Sequence, residues 1–280
     1  RFPSAPLYFP CRCTAHTLLT QVPMYKIFKR IRREPLEVQV AGACDPGLAR
    51  DHNEDSIAVF DNQERGYYAA LVCDGMGGHN AGEIASALAV EVIATHVKEH
   101  FHEGDPQQLL VDAFNLASRR IDEYAAENPE AHGMGCTAVM VLGTGEEFWT
   151  AHSGDSRCYR ISNGGELSAL TTDHTMVMEM LSNGLITPEQ AAVHPYRGRI
   201  SRCLGHGKNR GDPTVTAYTL NIGENLLLCS DGLSDVVKET DLAPLARQRE
   251  VKSASRRLVD AANNEGGPDN ISAIVVRRLS

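Results

Sequence analysis

The segment LLLCSDGLSDVV, residues 226–237, poses the central question of this sequence. Its apolar beginning predicts a buried strand, and two carboxylates, Asp231 and Asp235, follow at once. Burying an unpaired carboxylate is costly in free energy. The segment YYAALVCDGMGGHNAGE, residues 67–83, repeats the order of an apolar strand followed by Asp-Gly. The repetition raises the question of which cation these carboxylates serve.

The composition indicates a globular protein with a substantial core, in one large domain or two small ones. Of the 280 residues, 42% are hydrophobic, and no apolar run reaches the ~18 residues of a membrane span. Residues 1–38 contain seven Lys or Arg and two Asp or Glu, so the rest of the chain, at an overall charge of −9, carries −14. An acidic body argues against nucleic acid as the main partner.

The cysteines point to a reducing compartment, and we expect a cytoplasmic protein. The sequence has eight, and apart from Cys11 and Cys13 they mostly stand singly in apolar segments. That distribution is typical of small core residues and not of a disulfide framework or a zinc site.

The chain divides into a leader at 1–36 and a regular domain at 37–280. The leader has no helical or strand period, which favours a disordered or vector-derived segment; a targeting peptide is the rival interpretation. Its basic stretch YKIFKRIRRE could contact a membrane or an acidic partner, but a solvated tail is favoured. Within the domain, residues 174–212 are irregular and basic, and we expect them to form an inserted flap.

The regular domain predicts an α+β fold with antiparallel sheets and helices outside. Alternating strands precede and follow two helices, without a steady βαβ order. In the first helix Ile84, Leu88 and Val92 form the apolar stripe. The second should begin at Asp105 as the N-cap, with Pro106 as its first residue.

Carboxylates recur at the predicted strand ends, where loops usually build sites. Any one of them has an ordinary turn as its alternative interpretation, but their repetition favours a shared site. If they converge, an all-oxygen ligand set suits Mg²⁺ or Mn²⁺ better than zinc. The candidates are Glu54, Asp55, Asp74, Asp155, Asp231, Asp235 and Asp269.

Two neighbouring residues could complete such a site. The glycine after Asp74 allows close approach of the backbone, so the Gly75 carbonyl is a candidate ligand. A site for a phosphate group also needs a cationic side chain, and Arg50 in RDHNED is the candidate, with a plain surface arginine as the alternative.

Taken in order, these motifs resemble the PP2C-type (PPM) metal-dependent serine/threonine protein phosphatases, most closely the bacterial branch. The resemblance runs from about residue 38 to the C-terminus. It implies an α/β/β/α sandwich of two antiparallel sheets flanked by helix pairs, with metals at one end. The motifs are GLARDHNEDS, VCDGMGGHNAGEIAS, GCTAV, HSGDSRCYR, LTTDHT, HPYRGRISRCLG, LLLCSDGLSDVV and GGPDNIS.

The resemblance implies roles for individual residues. Asp74 would bridge two Mn²⁺ or Mg²⁺ ions, with Gly75 offering its carbonyl to one of them and Asp231 and Asp269 completing the shell of the other. Glu54 and Asp55 would bind through water. Arg50 would bind the substrate phosphate and Asn270 would support Asp269. Asp155 and Asp235, with Asp231, would form a third-metal site.

The implied reaction is direct hydrolysis of phosphoserine and phosphothreonine on proteins by a hydroxide bridging the two ions, without a phosphoenzyme. It would reverse the action of Ser/Thr protein kinases, and the domain is expected to work as a monomer. Met76 stands where many eukaryotic members have a histidine that serves as general acid. His79, three residues further on, is a candidate acid, with a loop-stabilising histidine as the favoured alternative.

Two other functions remain as alternatives. A pseudophosphatase would use the same fold for binding alone, but the expected carboxylates are all present. A two-metal phosphodiesterase or nuclease would favour a basic cleft, and the acidic body argues against it.

Overall fold

In the computed structural model, the described residues are 38–62, 66–78, 81–101, 104–206 and 212–279. The predicted leader at 1–36 and the candidate acid His79 lie outside these residues.

One sheet has five strands in the order β1–β12–β11–β7–β8, and its neighbouring strands are antiparallel. The chain's first described strand therefore pairs with its last. The bounds are β1 Val38–Asp45, β7 Arg157–Ile161, β8 Leu167–Ala169, β11 Asn225–Cys229 and β12 Ile271–Arg278.

The second sheet has seven strands in the order β10–β6–β5–β3–β4–β9, with β2 paired to β3. All its pairings are antiparallel, as predicted. The bounds are β2 Asp55–Asn62, β3 Tyr67–Met76, β4 Gly135–Cys136, β5 Ala138–Thr144, β6 Glu147–Ser153, β9 Leu204–Gly205 and β10 Thr214–Thr219.

The two sheets pack face to face through a shared apolar layer. Alternate residues of a strand point to opposite faces, so one face of each strand supplies this layer and the other faces helices. The second sheet contributes Tyr68, Val72 and Phe148, and the first contributes Leu226 and Ile274, all buried.

Helices cover the outer face of each sheet. Helices α1 (Ala81–His100) and α2 (Pro106–Glu127) pack on the second sheet. Helices α6 (Glu239–Ala246) and α7 (Val251–Asn264) pack on the first, and the short α5 (Asp231–Ser234) follows β11. This α/β/β/α layering confirms the predicted fold class. None of the helices in the described part of the chain has the length and apolar composition of a membrane span.

The first helix is confirmed, and its predicted apolar stripe packs against the core beside the most buried face. Ile84, Leu88 and Val92 are only partly buried, whereas the residues that face the sheet are mostly small. Small side chains let the helix axis approach the sheet closely, so the larger residues flank the contact instead of forming it. The fully buried hydrophobic positions are Ala85, Ala89, Ile93 and Val97.

The second helix begins as predicted. The Asp105 carboxylate accepts a hydrogen bond of 3.1 Å from the Gln107 N–H, and Pro106 is the first helical residue.

The described part of the predicted flap contains two short helices, α3 (Met176–Ser182) and α4 (Pro188–Ala192). Each begins at a threonine N-cap, Thr175 and Thr187, whose hydroxyl accepts a backbone N–H. Helices this short are marginal alone, so caps and contacts with the domain hold them. The basic passage at 207–211 lies outside the described residues.

Candidate metal and phosphate site

Two predicted ligands lie opposite each other on neighbouring strands. Asp55 begins β2, and the antiparallel register pairs it directly with Asp74 near the end of β3. Side chains paired in this way share one face of the sheet. Thr137 fixes the position of Asp74, because its N–H donates to the Asp74 carbonyl at 2.8 Å and its hydroxyl accepts the Asp74 N–H at 3.3 Å.

The first sheet brings two further carboxylates to the same place. Asp231 follows the end of β11 and Asp269 precedes the start of β12, and these strands are antiparallel neighbours. The end of one and the start of the other therefore lie at the same sheet edge. Ser230 joins the two sheets there, because its hydroxyl donates to Asp55 Oδ2 at 2.7 Å.

Asp55 is the most enclosed of these carboxylates, with 6% of its surface exposed. Its Oδ1 atom is buried and has no hydrogen-bond partner among the described residues. Burial raises the pKa of Asp55 to about 7, and the charges of Asp231 and Asp269 act in the same direction. A buried oxygen without a partner in such a place is suited to a cation or its water.

Asp74 and Asp231 are close enough to influence each other's pKa. Burial raises the pKa of Asp74 well above its ordinary value, with further contributions from the charges of Asp55 and Asp231. Burial also raises the pKa of Asp231, followed by the charges of Asp269 and Asp235. A cation that neutralised this pair would therefore favour the ionised form of both groups.

Glu54 and Gly75 meet where the first helix touches the sheet. The Gly75 N–H donates to the Glu54 carbonyl at 3.0 Å, and a Cβ atom at Gly75 would lie 2.0 Å from the Gly82 carbonyl oxygen. The Glu54 carboxylate lies against Gly82, where a Cβ would be 2.6 Å from Oε1. Burial raises the pKa of Glu54. Only glycine at 75 and 82 permits this close packing of carboxylate, strand and helix.

Arg50 is positioned by one of the predicted ligands. Its Nη2 atom donates to Asp269 Oδ2 at 2.9 Å, and the two side chains are 51% and 38% exposed. The guanidinium has five N–H donors in a planar fork, so this contact leaves others directed to solvent. An exposed arginine beside buried carboxylates can bind an anionic group that reaches the site.

Asn270 has a different partner from the one the resemblance implied. Its side-chain oxygen accepts from the Glu54 N–H at 2.8 Å, and its Nδ2 donates to the carbonyls of Pro46 and His52, both at 2.9 Å. Only its backbone N–H contacts the Asp269 carboxylate. The Asn270 side chain thus fixes the loop at 46–54, which carries Arg50 and Glu54.

The candidates for a third metal lie to one side of this group. Asp155, which follows β6, is buried, and burial together with the charges of Asp231 and Asp173 raises its pKa to about 7. Asp235 is half-exposed and lies 3.8 Å from Arg157 Nη2 and 3.9 Å from Arg197 Nη2. Asp231 lies between these residues and the first group, since its charge acts on Asp155 and that of Asp235 acts on it.

Sequence reasoning missed the residues that support the ligands. Arg157 forms a two-pronged ion pair with Asp173, at 2.9 and 2.7 Å. The Thr137 hydroxyl accepts the Asp74 N–H. The Ser230 hydroxyl donates to Asp55 and accepts the Ser272 N–H. Hydroxyl residues are common in any loop, so no local pattern singles them out. A charged residue inside the strand RCYRIS was the one available signal for Arg157.

The donor set fits hard divalent cations. It consists of carboxylate and carbonyl oxygens, and no His or Cys is needed to complete it. Among the described residues, no three His, Cys, Asp or Glu side chains converge into a ready-made ligand cage. Ligands that act through water need no direct convergence of their side chains.

A comparison with known families identifies the same region. A family model described as Protein phosphatase 2C matches residues 49–274.

Among curated proteins, this chain is 37% identical over 244 residues to serine/threonine protein phosphatase PstP of Mycobacterium tuberculosis, covering 87% of this chain and 45% of the relative. It thus spans less than half of that relative's length. It is 35% identical over 239 residues to serine/threonine phosphatase stp of Listeria monocytogenes, covering 84% of this chain and 93% of the relative.

Solved structures show the same fold. The M. tuberculosis serine/threonine phosphatase PstP/Ppp superposes with a TM-score of 0.77 at 35% identity, covering 87% of this chain and 99% of that one. The catalytic domain of PstP in complex with two manganese ions gives a TM-score of 0.75 at 34% identity, with the same shares of 87% and 99%.

Proposed function

The chain belongs to the protein phosphatase 2C family of metal-dependent serine/threonine protein phosphatases, and on that premise we propose that its domain at 37–280 removes phosphate from phosphoserine and phosphothreonine in proteins. Its partners would be phosphoproteins, and its reaction would reverse that of a Ser/Thr protein kinase.

One observation carries the proposal. At one edge of the two sheets, five carboxyl groups have pKa values raised by burial, and each is influenced by at least one other acidic group. Such a cluster is unfavourable unless cations neutralise it. The five are Glu54, Asp55, Asp74, Asp155 and Asp231.

We assign two Mn²⁺ or Mg²⁺ ions to this cluster. Asp74, the Gly75 carbonyl, Asp231 and Asp269 would hold them directly, and Glu54 and Asp55 would hold them through water. When bound, the ions would lower the pKa of water between them, supply hydroxide for in-line attack at phosphorus, and offset charge on the phosphoryl oxygens. Asp155 and Asp235, with Asp231, would hold a third ion.

The chain's own groups position the substrate. The exposed Arg50 guanidinium would bind two phosphoryl oxygens with the donors that Asp269 leaves free. Asp269 orients that guanidinium, and Asn270 holds the loop that carries it. Arg50 therefore binds the developing negative charge from a fixed position, which favours the transition state without reorganisation.

Hydrolysis of a phosphothreonine peptide tests the proposal. We expect phosphate release with Mn²⁺, none with EDTA, and no cleavage of single-stranded DNA. Asp74→Asn should lower kcat by at least about a thousandfold, whereas Asp260→Asn, an exposed carboxylate on α7, should match the wild type. A folded protein that released no phosphate from any phosphoester with Mn²⁺ would support the pseudophosphatase alternative, and DNA cleavage would support the nuclease alternative.

A further inference from the structure

The two flap helices turn their apolar faces toward a cavity and not toward a core. The cavity has a volume of ≈ 370 Å³ and lies between the flap and the sheet edge that carries the carboxylates. The spacing of its apolar lining follows one face of each helix. These residues are Val177, Met178 and Leu181 of α3 and Pro188, Ala191 and Ala192 of α4.

The opposite wall of this flap cavity is charged and belongs to the proposed reaction site. It contains Asp155, Asp231 and Asp235 together with Arg157. Arg157 is already paired with Asp173 at 2.7 Å, so it contributes little free charge to a ligand. A group in the cavity would therefore contact the apolar helices on one side and adjoin the phosphate-binding region on the other.

The flap arginines that the structure describes do not make this cavity a basic one. Of Arg197, Arg199 and Arg202, only Arg197 lines it, and that side chain is 62% exposed and lies 3.9 Å from Asp235. Arg199 lies over the Tyr196 ring at 5.5 Å, and Arg202 lines a separate cavity beside His152. The structure thus favours an apolar contribution of the flap over the recognition of acidic flanks.

We propose that the flap cavity receives an aliphatic side chain of the substrate protein, a short distance along the chain from the phosphorylated residue. Its volume lies at the lower end of the range of about 300–1,000 Å³ that is typical of ligand pockets, which is enough for a side chain such as leucine with its backbone. Binding would cover apolar surface of α3 and α4 that is otherwise in contact with water. The occupant is a substrate segment, because Asp231 lines the cavity and also belongs to the group of carboxylates at which the phosphate is proposed to react.

The inference rests on the proposed phosphatase function, so the experiment measures both. Phosphothreonine peptides with a Gly/Ser background would carry one leucine, or one asparagine of similar size in its place, at successive positions on either side of the phosphothreonine. Initial rates with Mn²⁺ give kcat/KM for each. We expect leucine to exceed asparagine by about tenfold at one or two positions, since burial of one aliphatic side chain has an effect of that size.

Two variants place the preference in the flap cavity. Leu181→Asp and Ala192→Asp each put a charge on the apolar wall and should abolish the leucine preference. Leu185→Asp is the matched control, because Leu185 is on the same flap, 72% exposed, and outside the cavity. Hydrolysis of p-nitrophenyl phosphate, which has no flanking residues, should be unchanged in all three.

The results distinguish failure of the cavity's role from failure of the proposed phosphatase function. Peptides hydrolysed with no leucine preference beyond about twofold would overturn the inference and leave the phosphatase function intact. A preference that survives in both Leu181→Asp and Ala192→Asp would also overturn it. If neither peptide nor p-nitrophenyl phosphate were hydrolysed, the proposed function itself would fail, and the role of the cavity with it.

Discussion

At the scale of single residues, Asp231 occupies the junction between two groups of carboxylates. Its charge raises the pKa of Asp74 on one side and that of Asp155 on the other. Asp235 lies further out, half-exposed and close to Arg157 and Arg197. We therefore expect these two aspartates to differ in function although only four positions separate them.

Replacing each with asparagine tests that difference. Asp231→Asn should abolish activity at any Mn²⁺ concentration, because the residue is a proposed ligand of the catalytic pair. Asp235→Asn should remain partly active and bind two ions, because the residue is a proposed ligand of the third ion alone. Calorimetric titration with Mn²⁺ measures the stoichiometry. If both variants still bound three ions, the assignment would be wrong.

Asn270 illustrates what the sequence can and cannot predict about a residue. The motif GGPDNIS places it beside Asp269, and its backbone N–H does bond to that carboxylate, but its side-chain partners are carbonyls and an N–H more than 200 positions earlier. Arg50 likewise pairs with a residue that is distant in the sequence, because Asp269 lies 219 positions away. Residue type predicts the chemistry, whereas the partner depends on which loops the fold brings together.

At the scale of elements, the first helix shows that the apolar stripe read from the sequence need not be the most buried face. Ile84, Leu88 and Val92 are only partly buried, whereas Ala85 and Ala89 are fully buried together with Ile93 and Val97. A periodicity of large apolar residues indicates that a helix is amphipathic, but it locates the buried face only to within about one residue position, or 100°. The close approach at Gly75 and Gly82 explains why small residues face the sheet here.

Two isoleucines on this helix provide a matched pair. Ile93 is fully buried, so Ile93→Ala should lower the free energy of unfolding by about 2–5 kcal/mol through lost burial and a residual cavity. Ile84 is only partly buried, and Ile84→Ala should cost about 1 kcal/mol. Urea unfolding monitored by circular dichroism measures both. An equal loss in the two variants would contradict the assigned face.

At the scale of the whole molecule, the carboxylate cluster makes stability depend on pH when metals are removed. The pKa values of Asp55 and Asp155 are about 7 in the folded protein, against an ordinary value of 3.8. A carboxyl group whose pKa is raised in the folded protein stabilises the fold fully below its ordinary pKa, and this stabilisation is lost as pH rises through the pKa of the folded state. The pH interval over which stability falls therefore ends just above pH 7.

The free energy of unfolding of EDTA-treated protein should fall by on the order of 1–2 kcal/mol between about pH 6.5 and pH 8. The histidines act in the opposite sense, because burial lowers the pKa of His152 and His174, but their effect is concentrated below the ordinary histidine pKa of 6.5. Urea titrations across the interval measure the slope. Saturating Mn²⁺ should remove the slope, and the double substitution of Asp55 and Asp155 by asparagine should reduce it, because Asp74 and Asp231 also have raised pKa values. An undiminished slope in both cases would point to groups outside the cluster.

The architecture of the molecule was predictable to the level of layers. Strand alternation and helix caps such as Asp105 predicted the elements, and their order predicted antiparallel sheets between helices. The order of strands within each sheet was not predictable, because β1 pairs with β12 across nearly the whole domain. The flap shows the same limit: its basic residues are evident in the sequence, but only the structure shows that its apolar side faces the carboxylates.

The position of β12 has a consequence for the order of events during protein synthesis. This strand is the last of the described chain to leave the ribosome, yet it lies between β1 and β11 in its sheet. Until it is made, β1 has no partner in that sheet, and Asp269 and Asn270 do not exist. The nascent chain therefore cannot complete the carboxylate cluster early, so a ribosome-bound domain remains inactive until its final strand enters the middle of the sheet.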